Sequence, residues 1–464
     1  MCNVSLNGTQ PTDASIRVLR ALEAAGLEAW YVGGWVRDAL MGRPSHDVDM
    51  CCSGLWQESK AALEAADIAV VESGIKFGGI TAICDGERIE VTTYRLDGFY
   101  TDGRHPQSVE RAASLEDDLA RRDFTVNAMA WHPERGLVDR YDGQGDLDRK
   151  LIRAVGDPKR RFNEDALRML RAVRFACRLD FMIEPKTKQA LAECAPLLDA
   201  VARERVGIEL EGILSTGHGG DAMLRYPELI CAAVPELAAG RGFDQCSVYH
   251  AFNVYEHIAR VLTVAGELAL CDGVAPSSSL MWAAFLHDVS KPDCFTVDHA
   301  GSGHFYGHPE LGAKKARAIM DRLALSHDLV RDVCLLIKYH DKPLRPERSC
   351  LLNMMRALSG EGVDTPRLMD ELMDLKRADT LGKAPSCFYY VETIEEMRAL
   401  ARELLAAGEP YTLKMLAING GDLIRAGVKP GPELGQLLNA ALDAVIEDNI
   451  PNDREALLAH LHLG

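Results

Sequence analysis

The order of apolar and polar residues divides the chain into a first part with strands and helices and a longer part with helices alone. Residues 13–30 place Ile16, Leu19, Leu22 and Leu27 on one side of a helix. Strand patterns follow at AWYVGG, HDVDMCC, IAVVES, GGITAICD and ERIEVTTYR, with a helix at WQESKAALEAA. Beyond Asp146 strand patterns almost vanish. We therefore predict an α+β fold, with a mixed sheet and helices over about the first 140 residues and an all-α remainder.

Length and composition indicate a multidomain globular protein. The chain has 464 residues, 47% of them hydrophobic and 26% charged, so two to four domains are expected. The N-terminus shows no basic segment followed by an apolar run, and no stretch reaches the ~18 to 20 apolar residues of a membrane span. The thirteen cysteines show no CxxC spacing. We expect a cytoplasmic protein with reduced cysteines and no membrane partner, and the sequence leaves its oligomeric state open.

The charge distribution leaves room for a nucleic-acid partner. A net charge of −17 argues against one, but binding depends on local patches and not on the total. Between Arg149 and Arg178 the chain carries ten Lys or Arg residues against three acidic ones. A basic surface is therefore expected in this segment.

The segment YVGGWVRDALMGRPSHDVDM carries the first candidate chemistry. Gly33 and Gly34 end a strand and start a helix, so a phosphate could approach the backbone and the free N–H groups of the helix start. Arg37 can reach the same anion. Asp47 and Asp49 lie two apart on a predicted strand and share one face. Two such carboxylates suit a pair of Mg²⁺ ions that serve phosphoryl transfer, although Gly-Gly alone also fits an ordinary strand–turn–helix.

Taken together, residues 31–50 resemble the active-site signature of the polymerase-beta-type nucleotidyltransferases, in the family of tRNA nucleotidyltransferases and poly(A) polymerases. Glu90, on the neighbouring strand pattern, could add a third carboxylate or be a plain exposed residue. The segment RRDFTVNAMA resembles the next motif of that family. Arg122 would grip triphosphate oxygens, and Asp123 and Asn127 would hydrogen-bond a ribose; a capped helix start is the alternative.

The segment EDALRMLRAVRFACRL (164–179) could read a base. We predict one amphipathic helix on which Asp165 and Arg168 are neighbours. A carboxylate accepts from an exocyclic amine and a guanidinium donates to a ring nitrogen, which fits cytosine and adenine and excludes guanine and uracil. A surface salt bridge is the alternative. The segment resembles the family's nucleotide-recognition motif, in which Arg171 and Arg174 support the pair. The Gly-rich loop 96–114 resembles a flexible loop that helps the pocket change from C to A, or is simply disordered.

A second candidate site lies in the helical part. The order H…HD…H…H…D resembles the HD metal-dependent phosphohydrolases, with Ser290 where a glycine is usual. Imidazoles and carboxylates together suit a divalent metal, whereas single histidines on helices usually belong to the core or the surface. The residues are His257, His287, Asp288, His308, His340 and Asp379.

The resemblance to bacterial CCA-adding tRNA nucleotidyltransferases extends over nearly the whole chain. It implies a catalytic head over 1–145, a helical neck with base recognition and RNA binding over 146–240, an HD-like body over 241–385 and a tRNA-binding tail over 386–464. For the tail, a plain helical bundle is the alternative. The implied reaction adds CCA to tRNA from CTP and ATP, with two Mg²⁺ ions in the head and a possible second divalent-metal site in the body.

Two other functions stay open at this point. The same head could belong to a poly(A) polymerase or to an enzyme that adds only C or only A. Alternatively, the chain could be an HD phosphohydrolase whose head merely binds RNA.

Overall fold

The computed structural model describes residues 6, 9–45, 47–73, 75, 78–97, 109–271, 273–447 and 450–463. Its chain contacts form two compact units. The first contains residues 1–210 and 226–233, and the second contains residues 211–225 and 234–464. The predicted α+β class is confirmed, because the main sheet lies in the N-terminal part of the chain and helices dominate the remainder.

The sheet of the first unit has seven strands in the order β3-β4-β5-β2-β1-β8-β9, and β2 and β5 run parallel. The strands that the alternation predicts are present with shorter bounds. The elements of the N-terminal part are α1 (Asp13–Ala24), β1 (Ala29–Val32), α2 (Gly33–Leu40), β2 (Val48–Cys52), α3 (Trp56–Ala65), β3 (Ala69–Val71), β4 (Gly79–Cys84), β5 (Glu87–Thr93), β6 (Arg95–Asp97), β7 (Val109–Arg111), α4 (Leu115–Ala120), β8 (Met129–His132), β9 (Gly136–Asp139) and α5 (Gly143–Asp148).

One face of this sheet packs on α1 and α3, and the other face holds the candidate chemistry. Val48, Met50 and Cys52 belong to the hydrophobic cluster shared with these helices. Because side chains alternate along a strand, Asp49 and Cys51 point to the opposite face. The third-carboxylate candidate Glu90 alternates in the same way between Ile89 and Val91, which both join the cluster.

The remainder of the first unit is mostly helical. Its elements are β10 (Leu151–Ile152), α6 (Pro158–Glu164), α7 (Leu167–Leu179), β11 (Met182–Ile183), α8 (Pro185–Cys194), α9 (Arg203–Leu214), whose last four residues belong to the second unit, and α11 (Pro227–Ala233). The apolar residues predicted to pack from α7 are all buried, namely Leu167, Leu170, Val173, Phe175 and Leu179.

The second unit is a helical assembly with one small hairpin. Helix α13 is buried from Ser279 to its end, and α12, α15 and α17 pack on it. The elements are α10 (Gly219–Arg225), α12 (Val254–Cys271), α13 (Ser278–Leu286), β12 (Thr296–Val297), β13 (Gly303–His304), α14 (His308–Arg322), α15 (His327–Tyr339), α16 (Arg348–Leu358), α17 (Thr365–Gly382), α18 (Tyr390–Ala406), α19 (Gly420–Arg425), α20 (Pro432–Glu447) and α21 (Arg454–His460). Among the described residues, no helix is both long and apolar enough to cross a membrane.

Two local predictions were wrong. The strand expected to include Asp47 begins at Val48, so Asp47 precedes it and is exposed. The single helix expected over 164–179 is broken, because Asp165 has an extended backbone (φ −146°, ψ 107°) between α6 and α7. The Asp165 carboxylate accepts from the Leu167 amide at 3.0 Å. Such side-chain-to-backbone bonds compete with helix continuation, which explains the break.

Candidate active site

Three carboxylates meet at the open face of the sheet. The parallel register pairs Asp49 directly with Glu90. Asp47, Asp49 and Glu90 line one cleft of about 730 Å³. Burial, followed by the nearby charges of Glu90 and Asp47, raises the pKa of Asp49 to about 6, although Arg122 and Arg37 act in the opposite direction. Crowded oxygen ligands of this kind fit divalent cations, which would relieve the repulsion.

The turn between β1 and α2 brings backbone close to these carboxylates. Gly33 has φ +70°, and a Cβ atom there would lie 3.1 Å from Arg122 Nη1 and 3.3 Å from Asp49 Oδ2. Helix α2 starts without a side-chain cap, so its first N–H groups stay available to an anion. Gly33, Gly34, Arg37 and Arg122 line a cleft of about 270 Å³ together with Asp47 and Asp49.

Arg122 forms an ion pair with Asp118, a carboxylate that the sequence motifs did not single out. Asp118 on α4 is fully buried and lies 2.6 Å from Arg121 Nη2 and 3.1 Å from Arg122 Nη2. Burial acts to raise the pKa of Asp118, but these two arginines outweigh it and lower that pKa. Arg122 Nε has no hydrogen-bond partner in the described part of the chain. The i, i+4 spacing on a helix could have revealed the Asp118–Arg122 pair.

A buried polar chain links the two predicted sugar-contacting residues to two arginines. Arg37 Nη1 donates to Asn127 Oδ1 at 2.8 Å, and Asn127 Nδ2 donates to Asp123 Oδ1 at 3.2 Å. Arg171 donates twice to Asp123 Oδ2, at 2.9 and 2.7 Å. Burial opposes the ionisation of Asp123, but Arg171 outweighs it and the pKa falls to about 2. Arg171 therefore holds Asp123 as well as facing the cleft.

The predicted base-reading pair lies in the same cleft as the carboxylates. Asp49, Glu90, Arg122, Asp165 and Arg168 all line a cavity of about 480 Å³. Asp165 lies before α7 and so does not share that helix with Arg168, although the Arg168 amide donates to the Asp165 carbonyl at 3.1 Å. Each is held by a further residue. Arg168 Nη1 donates to Glu164 Oε2 at 2.7 Å, and Asp165 Oδ2 accepts from Arg205 Nη2 at 3.0 Å.

Arg174, the last of the predicted nucleotide-binding residues, is tied to α9. Its Nε donates to Glu209 Oε2 at 2.6 Å. The guanidinium groups of Arg37, Arg171 and Arg174 lie 4.8 to 5.4 Å from the centre of the Phe175 ring. This aromatic residue was predicted only to pack; it also supports three cations.

The six residues of the second predicted site come together in the second unit. Asp288 lies at the centre, with its Oδ2 3.2 Å from Nε2 of both His257 and His287. Its Oδ1 lies 3.4 Å from His308 Nε2 and 3.7 Å from His340 Nε2. Asp379 Oδ1 lies 3.1 Å from His257 Nε2.

Each imidazole of this cluster is oriented by a backbone carbonyl. The Nδ1 atoms of His257, His287, His308 and His340 lie 3.2, 2.9, 2.7 and 2.7 Å from carbonyl oxygens. The Nε2 atoms therefore face Asp288, which is the arrangement of metal-binding histidines. Asp288 Oδ1 and His308 Nε2 are buried without a hydrogen bond in the described residues. Both observations fit a divalent metal.

Two residues that follow Asp288 in the chain, Ser290 and Lys291, contact this cluster. Ser290, which stands where a glycine is usual, is fully buried and donates to the His308 carbonyl at 2.7 Å. Lys291 Nζ lies 2.7 Å from Asp288 Oδ2. Burial opposes the ionisation of Asp288, but His287 and Lys291 outweigh it and hold its pKa well below the usual range.

Comparison with known proteins places the chain in a family. A CCA-adding enzyme of Streptococcus thermophilus is 33% identical over 96% of this chain and 95% of its own length. A CCA-adding enzyme of Leuconostoc mesenteroides is 32% identical over 95% and 93%. The chain belongs to the CCA-adding enzyme family.

A solved relative has the same fold. The crystal structure of the Bacillus stearothermophilus CCA-adding enzyme in complex with CTP matches with a TM-score of 0.71, at 26% identity over 98% of both chains. Matches to four domain models cover most of the chain: the poly A polymerase head domain (29–153), an RNA- and SrmB-binding site of polymerase A (180–239), the HD domain (254–383) and tRNA nucleotidyltransferase domain 2 (388–461).

The head-domain match contains the three carboxylates, and the HD-domain match contains all six residues of the second cluster. Asp165 and Arg168 lie between the first two matches. The Gly-rich loop 96–114, predicted to help the pocket change from C to A, falls largely on residues 98–108, which lie outside the described residues. Strands β6 and β7, which flank residues 98–108, pair with each other.

Proposed function

We propose that this chain adds C, C and A to the 3′ end of tRNA from CTP and ATP without a nucleic-acid template. The observation that carries this proposal is the shared cleft of about 480 Å³, in which Asp49 and Glu90 face the same space as Asp165 and Arg168. A reactive phosphate and a base could therefore be held at one time.

In the proposed reaction the tRNA 3′-hydroxyl attacks the α-phosphate and pyrophosphate leaves. Asp47 and Asp49 would hold two Mg²⁺ ions, with Glu90 beside them. When bound, such ions lower the pKa of the attacking hydroxyl and offset charge on the leaving group. Gly33, Gly34, Arg37 and Arg122 bind the triphosphate, and Arg171 and Arg174 add positive charge on the same side. Asp123 and Asn127 face the ribose.

Base selection follows from the donors and acceptors that the protein presents. Asp165 accepts from the exocyclic amine and Arg168 donates to the adjacent ring nitrogen, which suits cytosine N4 and N3 or adenine N6 and N1. Guanine and uracil present the opposite order, so a carboxylate would face a carbonyl group. An unsatisfied buried polar group costs roughly 1 to 3 kcal/mol.

Incubation of a tRNA lacking its last three nucleotides with each nucleoside triphosphate, singly and in pairs, tests this function. We expect two additions with CTP, one further addition when ATP is present, and none with GTP or UTP. Extension by ATP alone into a long tail would instead identify a poly(A) polymerase, and arrest after one nucleotide type would identify a C-only or A-only enzyme. Asp49→Asn should lower the rate on the order of a thousandfold, since metal ions supply several kcal/mol of stabilisation.

A second activity is favoured by the His–Asp cluster. We propose that the second unit binds a divalent metal through His257, His287, Asp288, His308, His340 and Asp379 and hydrolyses phosphoesters. Lys291, Lys383 and His250 line the adjoining cavity of about 300 Å³, and their donors suit a phosphate group. His287→Asn should abolish hydrolysis of a phosphodiester probe in the presence of Mn²⁺ or Ni²⁺, while CCA addition persists. Hydrolysis that survives in this variant would overturn the assignment.

The remaining segments receive roles that follow from the domain division in the sequence. We propose that the helical neck over 146–240 completes nucleotide binding and contacts RNA, and that the tail over 386–464 holds the elbow of the tRNA. Because tRNA and nucleoside triphosphates meet in the cytoplasm, we propose that location.

A further inference from the structure

Helix α9 makes two ion pairs with the segment 164–179, which contains the predicted base-reading residues. Arg205 and Glu209 lie four residues apart and therefore on one face of α9. Arg205 pairs with Asp165, 40 residues away in sequence, and Glu209 pairs with Arg174, 35 residues away. Each of these α9 residues is therefore ion-paired with a residue that is predicted to contact the nucleotide.

Arg205 has donors left over after it binds Asp165. A guanidinium carries five N–H donors, and in the described residues Asp165 engages only one, from Nη2. Arg205 Nη1 is shielded from solvent, whereas 24% of the side chain is exposed, so a ligand in the cleft would take a donor other than Nη1. Arg205 also lines the cleft that contains Asp49 and Arg168. An unpartnered donor at a cleft is satisfied when a ligand brings an acceptor.

We propose that Arg205 is a specificity-determining residue that donates a hydrogen bond to N7 of adenine while it holds Asp165. The proposal rests on the base-reading role of Asp165 given above. If Asp165 accepts from the exocyclic amine of the base, then Arg205, which is bonded to Asp165, lies on the amine side of that base. Next to its amine, adenine presents the acceptor N7, whereas cytosine presents a C5–H group. Arg205 therefore contributes to the addition of A and only indirectly to the addition of C.

The experiment combines a variant with a modified nucleotide. Arg205→Lys keeps a cation beside Asp165 but removes the planar fork of donors. In 7-deaza-ATP a C–H group replaces N7 and the Watson–Crick edge is unchanged. Single-turnover kcat/KM is measured for ATP and 7-deaza-ATP on tRNA ending in CC, and for CTP on tRNA lacking CCA. Arg203→Lys is the matched control, because Arg203 lies on the same helix and pairs with Asp199.

We expect the wild-type protein to use 7-deaza-ATP about tenfold less well than ATP, the factor that corresponds to roughly 1.4 kcal/mol. Arg205→Lys should lower kcat/KM for ATP by a similar factor, leave CTP nearly unchanged, and be insensitive to the replacement of N7. Arg203→Lys should behave as wild type throughout. Because the comparison of ATP with 7-deaza-ATP in the wild-type protein needs no variant, it decides the matter even if Arg205→Lys folds poorly.

Equal use of ATP and 7-deaza-ATP by the wild-type protein overturns the contact with N7. Equal losses for ATP and CTP in Arg205→Lys also overturn it, since Arg205 would then act only through Asp165. Asp165→Asn separates this result from a failure of the base-reading role itself. If Asp165→Asn uses CTP and ATP as well as the wild type does, base reading by Asp165 is wrong; if it loses both while N7 has no effect in the wild-type protein, only the role of Arg205 is wrong.

Discussion

Asp49 lies where burial and like charges oppose its ionisation. Glu90 is its direct neighbour in the parallel register, and the pKa of Asp49 rises to about 6 without a cation. The arginines nearby do not cancel this effect, because Arg37 is engaged by Asp38 and Asn127 and Arg122 by Asp118. The carboxylates thus keep a local excess of negative charge that a divalent cation can neutralise.

This charge arrangement predicts a pH-dependent affinity for the cation. Below pH 6 a proton occupies Asp49 and must leave before the cation binds, so affinity should fall about tenfold per pH unit; above pH 6 it should be constant. Mn²⁺ titrations by calorimetry between pH 5 and 8 measure this effect. They are done in an Asp288→Asn background, which removes the central carboxylate of the His–Asp cluster and so prevents metal binding there. Glu90→Gln removes a like charge and should move the onset to lower pH. An affinity that stays flat down to pH 5 would contradict the prediction.

Asp118 is the residue on which the placement of Arg122 depends. Asp118→Asn removes the buried negative charge between two arginines and should lower the free energy of unfolding by about 3 kcal/mol. It should also raise KM for the nucleotide, because Arg122 loses the partner that orients it. Urea unfolding and steady-state kinetics measure the two effects. Glu116→Gln on the same helix is the control, because Glu116 makes an exposed pair with Arg140; similar losses in both variants would count against Asp118.

At the scale of elements, the turn from β1 into α2 connects the sheet to the phosphate site. Gly33 is required there for two reasons, its φ of +70° and the closeness of Arg122 and Asp49. The pattern of the sequence predicted the strand, the turn and the helix, because these depend on neighbouring residues. It did not predict the break at Asp165, since a strong amphipathic pattern continues across that residue.

A pair of glycine variants separates backbone strain from crowding of the site. Gly26 has φ +80° and no atom within 4 Å of a would-be Cβ. Gly26→Ala and Gly33→Ala should each lower the free energy of unfolding by about 1 to 2 kcal/mol. Only Gly33→Ala should also reduce nucleotidyl transfer, by tenfold or more, since its methyl group displaces Arg122 or Asp49. Full activity in Gly33→Ala would show that the site tolerates this displacement.

At the scale of the whole molecule, the chain contains two compact units that carry different candidate chemistry. The carboxylates, the arginines and the base-reading pair all lie in the unit of residues 1–210 and 226–233. The His–Asp cluster lies entirely in the other unit. Each unit has its own buried core, so ligands of one unit should stabilise that unit.

This division predicts separate responses in thermal unfolding. ATP with Mg²⁺ should raise the unfolding temperature of the first unit, and Ni²⁺ alone should raise that of the second. At a ligand concentration of a hundred times Kd, each ligand adds about 2.7 kcal/mol to the free energy of unfolding of its unit. Differential scanning calorimetry of the full chain measures both. Asp49→Asn should remove the first response, and His308→Asn should remove the second. A single transition that responds equally to both ligands would contradict the division.

The sequence by itself determined the class of the fold, the strands of the N-terminal sheet and the residue types of both sites. These features depend on short-range patterns, such as alternation along β2, Gly33–Gly34 before a helix, and Asp47 and Asp49 two residues apart. Only the tertiary structure decided which residues hold one another. Asp49 meets Glu90 through strand pairing, Arg171 holds Asp123 across 48 residues, and Arg205 holds Asp165 across 40. Contacts between residues so far apart in the sequence depend on how helices and strands pack, which local periodicity does not encode.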